Sequence, residues 1–143
     1  AMRAEGLHAT LVFLGEVELA RLEALQLAAQ EVSAPAFSLL LSEAHYWGHN
    51  HIAFAAPGQV PPALLQLVNS LEQSLRHHHF KFDARSFKPH ITLLRKAQWS
   101  DSTLPVMPAV AWQLRDFALV QSLVDEQGVR YEVLARFPLN MLP

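Results

Sequence analysis

The chain contains no cysteine and has no long uninterrupted run of apolar residues. The absence of cysteine excludes disulfide bonds, a thiolate zinc site and a cysteine nucleophile. No apolar run approaches the ~18 residues that a membrane helix needs, and the first residues lack the basic-then-apolar order of a signal peptide. We therefore expect a cytoplasmic protein without a membrane partner.

Glycine is also scarce, with five in 143 residues. Neither a glycine-rich phosphate loop nor a G-x-S-x-G nucleophile turn occurs, which argues against a nucleotide-fuelled enzyme or a serine hydrolase of that type. Asp125 and Glu126 lie in the predicted hairpin turn Asp125-Glu126-Gln127-Gly128, where we expect solvated side chains, so a paired-carboxylate hydrolase is not favoured either. The length and the 51% hydrophobic composition are typical of one compact domain, and we expect residues 1–143 to form it.

A short pattern of histidine, any residue, threonine and an aliphatic residue occurs twice. The copies are His8-Ala9-Thr10-Leu11 and His90-Ile91-Thr92-Leu93, and both lie in apolar runs that predict strands. Residues two apart on a strand face the same way, so each copy would present an imidazole beside a hydroxyl. If the two strands met, one histidine could accept a proton while the other donated one, and the hydroxyls could hold an oxyanion.

The charge is unevenly distributed around a net value of −2. Six basic residues and one acid lie between Arg76 and Lys96, and the second histidine cassette is inside this basic stretch. A local positive field of this kind suits an anionic ligand, although a solvated basic loop is the alternative interpretation.

Apolar periodicity predicts an α+β protein with two helices and several strands. The helices are expected over Val17 to Val32 and from Pro61-Pro62 to His79, the second with a buried stripe of leucines and a valine. The strands are expected at Leu7 to Leu14, Phe37 to Leu41, His51 to Ala56, His90 to Leu94, Trp112 to Leu123 and Val129 to Phe137. The order suggests two related halves, each with one helix and one cassette, as two lobes around a shared groove.

Three segments carry a family resemblance: residues 7–17 (LHATLVFLGEV), 87–96 (FKPHITLLRK) and 130–139 (RYEVLARFPL). They resemble the two-histidine (2H) phosphoesterase superfamily, and within it the bacterial RNA 2',3'-cyclic phosphodiesterases, also named 2'-5' RNA ligases or LigT proteins. The resemblance implies a two-lobed fold with antiparallel sheets around a central groove and helices outside. Family members usually carry a strand and a helix before the first cassette. We therefore expect a dimer or a strand swap to compensate for the short N-terminal part of this chain.

The resemblance also implies the activity and the site. The expected reaction is hydrolysis of RNA 2',3'-cyclic phosphate ends to a 2'-phosphate without metal or cofactor, together with ATP-independent 2'-5' ligation. His90 is the expected base and His8 the expected acid, while Thr10, Thr92 and Arg95 bind the phosphate. Phe13 is the candidate for stacking on the nucleobase. Phe13 and Arg95 follow their histidines at an odd offset, so each reaches the site only if its strand ends or bulges; otherwise Phe13 is a core aromatic and Arg95 a surface cation.

Alternatives to this interpretation stay open at the level of sequence. The domain could bind a terminal phosphate without turnover, or act on another cyclic nucleotide or a 2'-5' linked oligonucleotide. His45, His49 and His51 could hold a metal ion, since imidazole is a common ligand, but no cysteine or tight carboxylate cluster accompanies them. His77-His78-His79 is better explained as a helix end, where positive charge complements the helix dipole.

Overall fold

The computed structural model describes residues 8–47, 52–83, 89, 91–94 and 108–140. The chain divides into two compact units, each assembled from three separate stretches. The first unit comprises Ala1–Leu11, Ser38–Val60 and Ser86–Trp112, and the second comprises Val12–Phe37, Pro61–Arg85 and Gln113–Pro143. These units do not coincide with the two halves of the sequence, because both helices fall in the second unit.

A four-stranded sheet forms the first unit. Its strands are β1 (Phe37–Trp47), β2 (Ile52–Pro57), β3 (Ile91–Leu94) and β4 (Val110–Leu114), in the order β3-β2-β1-β4. β1 pairs with β2 and β2 with β3, both antiparallel. Along β1 the side chains alternate, since Leu39 and Leu41 are buried and Leu40 between them is exposed. This period of two is the pattern of a sheet with one buried face.

Two helices pack together in the second unit. A single 3-10 turn (Leu19–Arg21) leads into α1 (Leu22–Gln30), and α2 runs over Pro62–His77. The α2 prediction is confirmed: Leu64, Val68, Leu71 and Leu75 are all buried. The first helix is shorter than predicted, because Glu18 is extended and Leu19 is 84% exposed, so no buried contact supports an earlier turn. Ser74 donates a 2.6 Å hydrogen bond to the carbonyl of Ala28, which joins the two helices.

The C-terminus of α2 is held by an arginine from the start of α1. Phe80 N–H bonds back to the Leu75 carbonyl, and His79 takes a left-handed conformation with φ of 63°. This is the Schellman arrangement, in which glycine is the usual residue. The Arg21 guanidinium donates to the carbonyls of His78 (2.8 Å) and His79 (3.2 Å) and lies 3.9 Å from the centroid of the Phe80 ring. A cation therefore stabilises the negative end of the α2 dipole.

A β-hairpin completes the second unit. It consists of β5 (Asp116–Asp125) and β6 (Gly128–Pro138), paired from Asp116↔Pro138 to Asp125↔Gly128. The predicted hairpin around residues 125–128 is confirmed, but Trp112 belongs to β4 and not to the strand that follows. Phe117 and Phe137 stack at the base of the hairpin with ring centroids 5.2 Å apart, and both are buried. Gly128, with φ of 114°, closes the turn where a side chain would be strained.

The predicted fold class is confirmed, since the chain is α+β with antiparallel sheets. Within the described residues no helix is both long enough and apolar enough to cross a membrane. No side chain of a polar or charged residue is buried in that part of the chain, so the cores of both units are apolar.

Candidate active site

A strand was predicted over Leu7 to Leu14, and the described part of this range, residues 8–14, does not form one. Among residues 8–14 only Ala9 takes part in a β bridge, and the chain bends at Leu11. His8 is half-buried and Thr10 is exposed. An apolar run favours a strand, but a strand forms only where a neighbour pairs with its backbone, and this requirement is not visible in the sequence. The alternation rule that placed His8 and Thr10 on one face therefore does not apply here.

Phe13 is exposed to solvent, and the prediction that it could be a core aromatic is wrong. Its exposure is 65%, and among the described residues that precede α1 only Leu19 is a more exposed large apolar side chain. Gly15 follows with φ of 70°, a left-handed conformation that turns the chain two residues later. Phe13 is five positions after His8, and on a strand an odd separation would place the two side chains on opposite faces. Since residues 8–14 do not form a strand, this rule does not determine which way the ring points.

The second cassette is a strand, as predicted. β3 pairs with β2 through Ala55↔Ile91, Phe54↔Thr92 and Ala53↔Leu94, with a register shift between Ala53 and Phe54. His90 and Arg95 lie outside the described residues, and Thr92 is described by its backbone alone. The pairing places the backbone of Thr92 opposite buried Phe54 in the first unit.

The same compact unit contains the described parts of both cassettes. His8 and Thr10 lie in its Ala1–Leu11 stretch, and Thr92 lies in its Ser86–Trp112 stretch. Phe13 belongs to the second unit, which begins at Val12. The described parts of the two histidine-threonine segments therefore fall in one unit, although about half of the sequence separates them.

Two other histidines of the described chain, His45 and His78, have structural contacts. The Nε2–H of His45 donates to Glu43 Oε1 at 2.8 Å, and the His45 ring stacks on Phe54 with centroids 5.3 Å apart. His78 Nε2 makes a 2.9 Å contact with Glu31 Oε2, which ties the end of α2 to the end of α1. Within the described residues there is no group of three or more histidine or acidic side chains that could hold a metal ion. His49 and His51, the companions proposed for His45, lie outside that part of the chain.

An open groove of about 550 Å³ lies along the exposed face of α2. It is lined by Pro62, Leu65, Gln66, Asn69, Ser70 and Gln73. None of these side chains ionises in the usual pH range, so the groove offers neither an acid nor a base for catalysis. This groove is therefore not a candidate catalytic site.

Sequence reasoning missed one contact of Phe13 and one contact within the basic stretch after α2. The Asp83 N–H donates to the Phe13 carbonyl at 2.9 Å, and the Arg76 guanidinium lies over the Phe82 ring, 5.0 Å from its centroid. The basic stretch after α2 was visible in the sequence. The contact of this stretch with Phe13 was not visible, because Phe13 and Asp83 are distant in the sequence and meet only in the folded chain.

Comparison with known proteins identifies the family to which the chain belongs. The family model described as the 2'-5' RNA ligase superfamily matches residues 1–126, so the chain belongs to that superfamily. It is 37% identical over 140 residues to the RNA 2',3'-cyclic phosphodiesterase of Escherichia coli K12, covering 96% of this chain and 78% of the relative.

Solved structures share the fold as well. The crystal structure of E. coli LigT complexed with 3'-AMP superposes with a TM-score of 0.85 at 34% identity, covering 96% of this chain and 79% of LigT. The crystal structure of TT0787 of Thermus thermophilus gives a TM-score of 0.77 at 26% identity, covering 92% of this chain and 77% of that protein. The LigT-like fold that the cassettes predicted is confirmed.

Proposed function

We propose that this chain hydrolyses the 2',3'-cyclic phosphodiester at the end of an RNA, leaving a 2'-phosphate. The observation that carries the proposal is the pair of histidine-threonine cassettes, whose described parts fall in one compact unit. Membership of the 2'-5' RNA ligase superfamily supports it, as does the 37% identity to a relative named RNA 2',3'-cyclic phosphodiesterase.

The proposed step uses one histidine on each side of the phosphorus. His90 accepts a proton from water, and the water oxygen forms a bond to phosphorus. The bond between phosphorus and the ribose 3'-oxygen breaks, and His8 donates a proton to that oxygen. The ordinary pKa of histidine, about 6.5, lets one ring be neutral and the other charged near neutral pH. The products are a 2'-phosphate and a 3'-hydroxyl.

Hydroxyl and cationic groups stabilise the charge that develops on the phosphoryl oxygens. Thr10 and Thr92 donate hydrogen bonds to these oxygens, and Arg95 supplies positive charge. The exposure of Thr10 supports this role, because its hydroxyl is accessible to a ligand. When the 5'-hydroxyl of a second RNA replaces water, the same displacement forms a 2'-5' linkage without ATP.

Phe13 is the proposed stacking platform for the nucleobase. A phenyl ring that is 65% exposed offers a face on which a base can stack, and base–aromatic stacking tolerates any base. This role explains an exposed aromatic residue that would otherwise cost free energy by keeping apolar area in water.

Hydrolysis of a 2',3'-cyclic mononucleotide in the presence of EDTA tests the proposal. We expect turnover that survives chelation and falls at least about a hundredfold in both His8→Ala and His90→Ala. The rate should have a bell-shaped pH profile in the wild type, because one ring must be neutral while the other is charged. His45→Gln is the matched control and should keep the wild-type rate, since His45 is engaged with Glu43 and Phe54.

Three results would contradict the proposal. Near-wild-type rates in His8→Ala or His90→Ala would contradict the roles of these two histidines as acid and base. Loss of turnover on chelation would indicate a metal-dependent enzyme. Tight binding of the cyclic nucleotide without turnover would indicate a phosphate-binding module.

We further propose that residues 1–143 act as one domain in the cytoplasm, where RNA ends are available. Each compact unit draws on three separate stretches, and two of the boundaries between them fall within β1 and β4. This interleaving supports a single domain, because neither unit can be cut out as one continuous segment.

Self-association, by dimerisation or strand exchange, is also proposed. Val120 pairs with Val133 and Val124 pairs with Val129 across the β5–β6 hairpin, which places all four side chains on one face. All four are exposed. A two-stranded sheet with an uncovered apolar face is marginal alone, and this supports a covering partner.

A further inference from the structure

The basic stretch between Arg76 and Lys96 begins with residues that the structure describes and that have no role in the proposed chemistry. These residues run from Arg76, in the last turn of α2, to Asp83, and we name them the post-helix segment. Arg76, His77, His79 and Lys81 are exposed or partly exposed on it. His78 is half-buried and engaged with Glu31. The segment therefore presents two cations to solvent beside the end of a helix, the Arg76 guanidinium and the Lys81 ammonium.

An arginine and an aromatic ring meet in this segment. The Arg76 guanidinium lies 5.0 Å from the centroid of the Phe82 ring, within the range of a cation–π contact. The Arg76 side chain is 59% exposed, so the contact orients the guanidinium without removing it from water. Glu72 approaches Arg76 at 3.6 Å, one turn earlier on α2. Because the Arg76 side chain lies mostly in water, its pair with Glu72 is weak, and a phosphate can replace the carboxylate.

The post-helix segment also contacts Phe13, whose ring is exposed. The Asp83 N–H donates a 2.9 Å hydrogen bond to the Phe13 carbonyl, which holds Phe13 beside the chain at Asp83, the residue after Phe82. All these residues belong to the second unit. The backbone of Phe13, whose ring is exposed, therefore lies next to a segment that carries two exposed cations, Arg76 and Lys81. Aromatic rings and cations are the groups with which proteins bind single-stranded nucleic acid.

Other exposed surfaces of the described chain do not combine these features. The groove on α2 is lined by amides, a hydroxyl and apolar groups without a charge. The hairpin exposes valines, but none of its aromatic side chains is exposed: Phe117 and Phe137 are buried and Tyr131 is half-buried. Among the described residues, the post-helix segment and Phe13 thus form the surface best suited to a polyanion.

We propose that the post-helix segment binds the single-stranded RNA that precedes the cyclic end, with Arg76 and Lys81 contacting its phosphates. This inference rests on the proposed function, because the ligand is the RNA whose terminus is hydrolysed. The terminal base stacks on Phe13, and the backbone of the preceding nucleotides runs along the cations. The enzyme accordingly distinguishes an RNA strand from a cyclic mononucleotide by contacts outside its reacting groups.

The test compares two substrates in three proteins. The substrates are a 2',3'-cyclic mononucleotide and a short single-stranded RNA with the same cyclic end. The proteins are the wild type, the double variant Arg76→Gln/Lys81→Gln, and the control Arg115→Gln/Arg130→Gln, which removes two exposed positive charges elsewhere in the second unit. Thermal melting of each protein shows that the variants are folded.

We expect the Arg76/Lys81 variant to raise KM for the RNA about tenfold at low salt, with kcat and the mononucleotide kinetics unchanged. Loss of two phosphate contacts should also weaken the salt dependence of the RNA KM, because fewer counterions are released on binding. The control should match the wild type with both substrates. An equal loss with both substrates, the same loss in the control, or an unchanged KM for the RNA would each overturn the inference.

Failure of the proposed function has a different signature, since the wild type would then turn over neither substrate. In that case, fluorescence anisotropy with a labelled single-stranded RNA bearing a 3'-phosphate decides the inference. Tighter binding by the wild type than by the Arg76/Lys81 variant supports it. No binding, or stronger binding of a duplex RNA than of the single strand, overturns it.

Discussion

The backbone N–H of Asp83 donates a 2.9 Å hydrogen bond to the carbonyl of Phe13. Phe13 follows the first histidine cassette, and Asp83 lies in the basic stretch that contains the second. The bond therefore joins the segments that carry the proposed base-stacking and backbone-binding groups. Substitutions near this bond and at other exposed positions are expected to change substrate kinetics, stability or self-association.

Replacing Phe13 by alanine should raise KM for a cyclic nucleotide roughly tenfold or more, since stacking on an aromatic side chain contributes about 1–3 kcal/mol per base. Stability should hardly change, because the ring is mostly exposed. Steady-state kinetics and a thermal melt measure the two effects. Phe13→Trp should retain affinity, and Leu19→Ala, which truncates another exposed apolar side chain, should have no kinetic effect. A large drop in melting temperature with unchanged KM would show that the ring is structural.

Thr10→Val should lower kcat for the cyclic phosphodiester by about a hundredfold, the effect of removing one donor to a developing oxyanion. Valine keeps the shape of the side chain and removes only the hydroxyl. Thr10→Ser is the matched control and should keep most of the activity. Equal activity of the valine and serine variants would exclude a hydrogen bond to the phosphoryl group.

His79→Gly should stabilise the protein by about 1 kcal/mol, because a non-glycine residue with φ of 63° is strained after α2. Thermal or denaturant unfolding measures the gain. The same substitution two residues earlier, His77→Gly, should destabilise by a similar amount, because His77 is inside the helix, where glycine is unfavourable. Loss of stability in both variants would mean that the His79 side chain makes a contact that outweighs the strain.

Val124→Lys should abolish the self-association proposed for the hairpin face. Val124 is 81% exposed and pairs with Val129, so a lysine there places a charge on the apolar face. Sedimentation at several protein concentrations should show association in the wild type and a monomer in the variant. Leu19→Lys, a charge introduced at another exposed apolar residue, should associate like the wild type. A wild type that is monomeric at every concentration would contradict the proposal.

The sequence by itself determined the elements whose evidence is local. The helical period along Leu64, Val68, Leu71 and Leu75 predicted α2 and its buried face, and the glycine turn at Gly128 predicted the hairpin. The repeated cassette, a pattern of four residues, was enough to indicate the superfamily. Such signals depend on residues a few positions apart, so they are complete in the sequence.

Only the tertiary structure decided what depends on distant partners. The apolar run around His8 predicted a strand, but strand formation requires a paired backbone, and residues 8–14 have only the bridge at Ala9. The exposure of Phe13 and its bond to Asp83 are likewise set by which stretches meet. Periodicity shows which side of an element is apolar, whereas the contacts that cover it come from elsewhere in the chain. For this reason the helix and the hairpin could be predicted from the sequence, whereas the surface around Phe13 could not.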